Sequence, residues 1–191
     1  MLQALIEKLK PLIKWIGKVH VPFSRKKITG KHYYLMRDMI SPGCIFLTKT
    51  YGEMTNLINP GEMKHAAIYS GGEIIKWVTE AVGAGVVSTD LVTFLTSKDE
   101  VIILDPLGEI REKRSQVAEF AATNIGLGYD FSFSFANKSK YCAELIYDCV
   151  KAVVPTANQK NVRVYGQEFV RPDDFLNDTA NWKVVYDSRK A

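Results

Sequence analysis

Cysteine, histidine and long apolar runs are all scarce in this chain of 191 residues. No stretch approaches the roughly 20 consecutive apolar residues that a membrane-spanning helix needs. Residues 1–19 spread their lysines along the segment instead of confining them to its start, so no secretory signal is expected and a cytoplasmic location is the default. The three cysteines and three histidines fall in no CxxC or HExxH spacing, which argues against a bound metal. A glycine-rich phosphate loop and a GxSxG elbow are also missing, so nothing points to a nucleotide or to a serine hydrolase, and no cofactor is expected. The net charge of +4 is mild, and basic residues nowhere form a run interleaved with aromatics, so nucleic acid is not an expected partner.

What remains is an ordinary globular composition, 47% hydrophobic and 24% charged, long enough for one well-filled core. The chain divides into an amphipathic, basic stretch over 1–32 and a main domain over 33–191. In the first part Leu2, Leu5, Ile6, Leu9, Leu12, Ile13 and Ile16 recur at helical spacing among Lys8, Lys10, Lys14 and Lys18. Pro11 should kink or divide that helix. Two uses are open to it: packing on the domain, or lying on a membrane surface, to which Trp15 and the lysines are suited. Residues 22–32 turn polar and basic and read as a connector.

The main domain alternates short apolar strands with turns. Ser41-Pro42-Gly43 precedes a buried strand over 44–48, and Asn59-Pro60-Gly61 delivers the chain into a strand over 65–69. Ser70-Gly71-Gly72 reads as a tight hairpin into a strand over 73–79. A short helix over 89–95 capped by Ser88 or Thr89, a strand over 101–104 and a helix over 111–125 follow. A helix over 141–153 buries Leu145, Ile146, Cys149, Val150 and Val153 and stops at Pro155. Late strands are expected over 162–164 and 182–186, with a short helix opening at Arg171-Pro172-Asp173. The class is α+β with a largely antiparallel sheet.

Cys142 stands in the first turn of the 141–153 helix, after the polar run Asn137-Lys138-Ser139-Lys140. The positive end of a helix favours thiolate over thiol, and the thiolate is the nucleophile. A lone helix cysteine is more often buried core than nucleophile, as Cys149 is expected to be from its mid-helix apolar position, and it is the first-turn placement that favours the nucleophile at Cys142. The two lie about 10 Å apart along one helix, beyond disulfide reach, so reduced thiols are expected. His65 opens an apolar strand, a rigid place from which a ring nitrogen could face a helix terminus. Glu80 follows the strand that hairpins back from it, and serves either as an exposed strand-end carboxylate or as the group that orients the imidazole.

The order of these segments resembles the circularly permuted papain-like cysteine hydrolases of the NlpC superfamily, the YiiX/YaeF-like group. The matching pieces are Pro42-Gly43 before an apolar strand, His65-Ala66-Ala67-Ile68-Tyr69-Ser70-Gly71, Glu80-Ala81 with Gly85-Val86, Gly126 to Phe131 carrying Tyr129-Asp130-Phe131, Tyr141-Cys142-Ala143-Glu144-Leu145, and Pro172-Asp173. Together they span about residues 40–176. The resemblance implies a permuted papain-like (NlpC-like) fold, a mostly antiparallel sheet packed on helices with the nucleophile at a helix N-terminus. It also implies Cys142 as nucleophile, His65 as general base and Glu80 as orienting residue. Tyr129 and Glu144, from the same motifs, are read as substrate-binding. The activity implied is thiol-dependent cleavage of an amide or ester in a peptide or acyl substrate. The alternatives are acyl transfer on lipid-linked groups and an inert binding module. Two departures stand out: Cys44 occupies the place of an aspartate, and Ala143 replaces a serine.

Overall fold

The structure, a computed structural model, describes residues 28–52, 61–133, 135, 137–159, 161–164 and 167–190. The amphipathic stretch with its expected helix, most of the connector and Asn59-Pro60 lie outside the described residues. Six antiparallel strands form the main sheet: β1 (Ile45–Lys49), β2 (His65–Gly71), β3 (Trp77–Val82), β4 (Gly85–Asp90), β5 (Glu100–Pro106) and β8 (Trp182–Asp187). Their spatial order is β4-β3-β2-β1-β5-β8, and β6 (Val162–Val164) pairs β7 (Gln167–Phe169) in a separate hairpin. The helices are α1 (Gly30–Met36), α2 (Leu91–Thr96), α3 (Gly108–Glu112), α4 (Arg114–Thr123), α5 (Cys142–Val153) and α6 (Pro172–Asn177).

Both sheet faces are covered, which is why the central strands read as continuous apolar runs and not as alternating ones. One face packs Ile45, Leu47, Ile68, Ile102 and Leu104 against Val117 and Ala121 of α4 and Leu145, Ile146, Cys149 and Val150 of α5. The other packs Phe46, Tyr69, Val78, Val101 and Ile103 against Met36 of α1 and Leu91, Phe94 and Leu95 of α2. Burying one such side chain is worth about 1.5–3 kcal/mol, so the two cores together fix the strand register from which the site is built. Among the described residues no helix is long and apolar enough to cross a membrane.

The α+β antiparallel architecture is as expected from the sequence, and four local expectations are corrected. The connector is not wholly irregular: its end is helical in α1, where the Thr29 N–H donates to His32 Nδ1 at 3.1 Å and Met36 is drawn into the core. The β2–β3 turn is not tight. A bulge between Tyr69 and Gly71 and two glycines at positive φ, Gly71 (96°) and Gly72 (118°), open it into a loop over 72–76, and β3 starts only at Trp77. A Cβ on Gly72 would lie 1.9 Å from the Ile75 carbonyl oxygen, so the loop requires glycine there. Glu80 therefore sits inside β3 and not at a strand end.

Helix α2 is capped by Asp90, whose Oδ1 accepts the Thr93 N–H at 3.0 Å. Ser88 and Thr89 stay in β4, paired with Thr79 and Val78. The helix expected over 111–125 is two, divided at Lys113 (φ −104°, ψ 15°). Arg114 restarts it while its Nε donates to the Pro42 carbonyl at 2.7 Å and its Nη2 to Asp105 at 2.7 Å.

Candidate active site

Helix α5 carries its apolar stripe into the sheet and so brings its N-terminus against the start of β2. Tyr141 is its N-cap with extended backbone, and the Tyr141 N–H donates to Oε2 of Glu144 at 3.2 Å, closing the first turn. Cys142 is the first helical residue, 6% exposed. Ala66 pairs with Leu47 of β1, but the β2–β3 ladder runs only as far as Ala67 opposite Glu80. The Ala66 N–H, free of that ladder, reaches the Cys142 sulfur, as does the Ala143 N–H.

The imidazole comes from the strand side. Asp173, behind Pro172 at the first turn of α6, accepts the N–H of Glu62 at 2.7 Å and of Met63 at 2.9 Å. Lys64 then donates its N–H to Thr48 at 2.9 Å, so the backbone entering His65 is held at three successive residues. The His65 side chain is 19% exposed and its Nε2 lies 2.9 Å from Oε2 of Glu80. The ring also hydrogen-bonds Cys142, for which Nδ1 is the nitrogen left. Glu80 is buried, and its second oxygen accepts the Thr89 hydroxyl at 2.7 Å. The Phe94 ring flanks His65, centroids 6.5 Å apart.

Electrostatics separates this group from its surroundings. Burial disfavours the charged imidazole, but the hydrogen bonds to Cys142 and Glu80 outweigh it and raise the His65 pKa to about 9. Burial would raise Glu80, yet the His65 hydrogen bond and charge, Lys98 and Thr89 bring it down to about 2. Glu80 is thus ionised, and Nε2 of His65 carries the proton between them. Burial also opposes a thiolate at Cys142, and His65 with the Ala66 and Ala143 N–H groups lowers its pKa nonetheless.

The other two thiols go the opposite way. All three cysteines are free and buried. Burial pushes Cys149 up to about 12 and Cys44 up to about 11. A carboxylate is nevertheless present beside Cys44, supplied by β5: its thiol donates to Asp105 Oδ1 at 3.3 Å, and Arg114 binds both.

Cys142, His65 and Glu80 are therefore in one hydrogen-bonded chain. Tyr129 is half-buried at its margin, its ring 4.8 Å from that of Phe131, and near enough to Cys142 for the thiolate charge, after burial, to raise its phenol. Glu144 stands apart from any opening. It is 0% exposed and bonded to the Tyr141 N–H and, at 3.1 Å, to Lys140, so it supports the helix start and forms no open wall. Thr89, Ala66 and Asp173 contribute to the geometry without having been singled out from sequence as parts of the site. Only Asp173 carried a signal, its place in the Pro172-Asp173 pair. Among the described residues no group of three or more His, Cys, Asp or Glu side chains is gathered to hold a metal ion.

A family model described as "Permuted papain-like amidase enzyme, YaeF/YiiX, C92 family" matches residues 39–186. Among solved structures, the chain is similar to one titled as the crystal structure of metalloprotein yiiX from Escherichia coli O157:H7. The TM-score is 0.65 and the identity 18%, over 78% of this chain and 97% of that one, a likeness of fold. No curated protein matches in sequence.

Proposed function

The chain belongs to the permuted papain-like amidase family of YaeF and YiiX, and from that premise we propose that it cleaves an amide bond through a covalent Cys142 acyl-enzyme. The observation that carries the reading is the divergence of three thiols in one chain: Cys142 is lowered while Cys44 and Cys149 are raised. A low thiol beside a raised imidazole is a nucleophile and its proton donor.

In this reading the Cys142 thiolate attacks the carbonyl carbon, and the carbonyl oxygen takes the negative charge beside the helix N-terminus, where the Cys142 N–H donates to it. The C–N bond breaks, and the His65 imidazolium gives its proton to the departing amine, leaving a thioester on Cys142. Water then attacks the thioester carbon while His65 takes its proton. The acid departs and thiolate and imidazolium are restored. Glu80 keeps the proton on Nε2, so that the other ring nitrogen faces sulfur and substrate.

The test is mass spectrometry of the intact protein after incubation with peptide amides and with activated acyl esters. Acyl mass on Cys142 that decays in water, and is missing from Cys142→Ala, supports the proposal. No adduct, together with alkylation of Cys142 no faster than a free thiol at neutral pH, would reduce the site to an inert papain-like module. A stable thioester discharged only by an added amine or alcohol would make the chemistry transfer.

A further inference from the structure

The reaction proposed above discharges two of the three charges in the site, and a buried charge left without a partner is costly. At rest the site holds the Cys142 thiolate, the His65 imidazolium and the Glu80 carboxylate. In the acyl-enzyme the sulfur is a thioester and the imidazole has given its proton to the departing amine, so both are neutral. Glu80, 5% exposed, is then a buried carboxylate whose imidazolium has gone. It keeps His65 Nε2 at 2.9 Å and the Thr89 hydroxyl at 2.7 Å, both now neutral donors.

Lys98 is the cation that stays. It follows α2, and its backbone is held twice: its N–H donates to the Leu95 carbonyl at 3.0 Å, and its carbonyl accepts the Ile28 N–H at 3.0 Å. The half-buried side chain lies over the Phe94 ring, Nζ 5.0 Å from the centroid, and that same ring flanks His65 at 6.5 Å. Among the described residues its ammonium makes no ion pair, whereas Arg114, Lys140, Arg171 and Arg189 each hold a carboxylate. After burial and the bonds within the triad, Lys98 acts on both remaining groups: it opposes protonation of His65 and favours the ionised Glu80.

The neighbouring charges are turned elsewhere. Lys64 precedes His65 and, by the two-residue period of a strand, falls on the opposite face, where it meets the charges of Lys49 and Asp173. Asp173 holds the Glu62 and Met63 N–H groups, and Glu62 and Asp187 pair with Arg189. Asp99 accepts the Tyr51 N–H at 2.7 Å, and Glu100 accepts the Tyr51 hydroxyl. Thr48, opposite His65 on β1, and Thr89 on β4 bring no charge.

We propose that Lys98 is a positioning residue for the second half of the reaction: its ammonium, fixed on the Phe94 ring, is the counter-charge of Glu80 in the acyl-enzyme. Glu80 then stays ionised and holds the imidazole proton on Nε2, leaving the other ring nitrogen open to take a proton from the attacking water. With Lys98 counted, the site is neutral at rest and neutral again in the acyl-enzyme. Without it the site is negative in both states, and the imidazole keeps a second proton instead of accepting that of water. The inference rests on the acyl-enzyme reading above.

A p-nitrophenyl ester separates the two halves, because its leaving group departs without needing a proton. The nitrophenolate burst reads acylation, and decay of the acyl mass on Cys142 reads hydrolysis. Lys98→Met keeps the aliphatic stem on Phe94, so the melting temperature and the burst rate should hold. Decay of the thioester should slow by about tenfold, as expected for one partly screened charge on a buried pair. The acid limb of that decay should also move to higher pH, since the imidazole without the cation stays protonated further up. Lys98→Arg should restore both rate and limb. The proposal is overturned if Lys98→Met decays like the parent, if burst and decay fall together with the melting temperature, or if Lys98→Arg behaves as Lys98→Met. Failure of the parent to gain acyl mass is a different outcome: it removes the acyl-enzyme itself, and the role of Lys98 with it.

Discussion

Glu80 and His65 are diagonal neighbours on one face of the sheet: Ala67 stands directly opposite Glu80, and His65 is two residues along the strand from Ala67. Two residues is the period of a strand, so both side chains project to the same side and meet at 2.9 Å. The pair is thus fixed by β-sheet register and not by a loop.

Glu80→Gln follows from that contact. The amide keeps the shape and can still accept from Nε2, so folding should be retained, but the charge that holds the imidazolium is lost. The His65 pKa, about 9 in the native chain, should fall toward its ordinary value, readable by imidazole NMR titration. Turnover should drop by at least about tenfold, since orienting carboxylates in such triads are worth up to about 10⁴. An unmoved titration would assign the raised imidazole to Cys142 alone.

The reactive pair should give a bell-shaped pH dependence. Its acid limb reports Cys142 ionising below the usual thiol value, and its alkaline limb reports His65 losing its proton near pH 9. Because the folded pKa of His65 lies above 6.5, its contribution to stability is complete below pH 6.5 and is lost as pH rises through about 9. Alkylation of Cys142 followed against pH should therefore show a depressed midpoint that climbs in His65→Ala. Cys44 and Cys149 should stay unlabelled in the native state across that range.

Asp173 ties the segment before His65 to α6, and Gly61 lies so close that a Cβ there would sit 2.0 Å from its carboxylate. Asp173→Ala removes two charged hydrogen bonds to backbone N–H groups, a loss of about 2–4 kcal/mol by calorimetry. Turnover should fall as well, because the strand start that presents His65 is no longer held. Asp173→Asn keeps one acceptor and sets an NH2 donor against the other backbone N–H, so it should recover no more than one of the two bonds and fall between the parent and Asp173→Ala in both measurements.

How much of this was legible beforehand depends on which forces set each element. The helix start at Cys142 and the strand start at His65 are announced by local composition, since amphipathic spacing and a polar approach act over a few residues. The place of Glu80 was not legible. It depends on the bulge between Tyr69 and Gly71 and on the loop over 72–76, which together shift where β3 begins. Ser88, Thr89 and Asp90 are all good caps by residue type, and it is the length of β4, which runs through Asp90 opposite Trp77, that puts the helix start at Leu91 and leaves Asp90 as its cap. The Ala66 N–H carries no side-chain signal at all; it is available because one ladder stops a residue short. The start of α1, Gly30 to His32, reads as connector because the helix's buried contact is essentially one residue beyond it, Met36, against a core assembled from distant strands.

Glu144 makes the nucleophile helix sensitive to pH through its own titration. Burial raises its pKa to about 7, against the opposing pull of Lys140 and the Tyr141 N–H. A folded value above the unfolded 4.5 means that the protonated form is favoured in the native state. The stability it brings is complete below pH 4.5 and is lost as pH rises through about 7. Summed over that window the loss is about 3 kcal/mol. Glu144→Gln replaces the carboxyl with a permanently neutral group that can still accept the Tyr141 N–H and cap the turn. The variant should therefore gain on the parent in denaturant midpoint between pH 5 and pH 8, while the two converge in acid. If the parent instead gains on the variant as pH rises, the Lys140–Glu144 ion pair outweighs burial, and the start of α5 is held by charge and not by a neutral hydrogen bond.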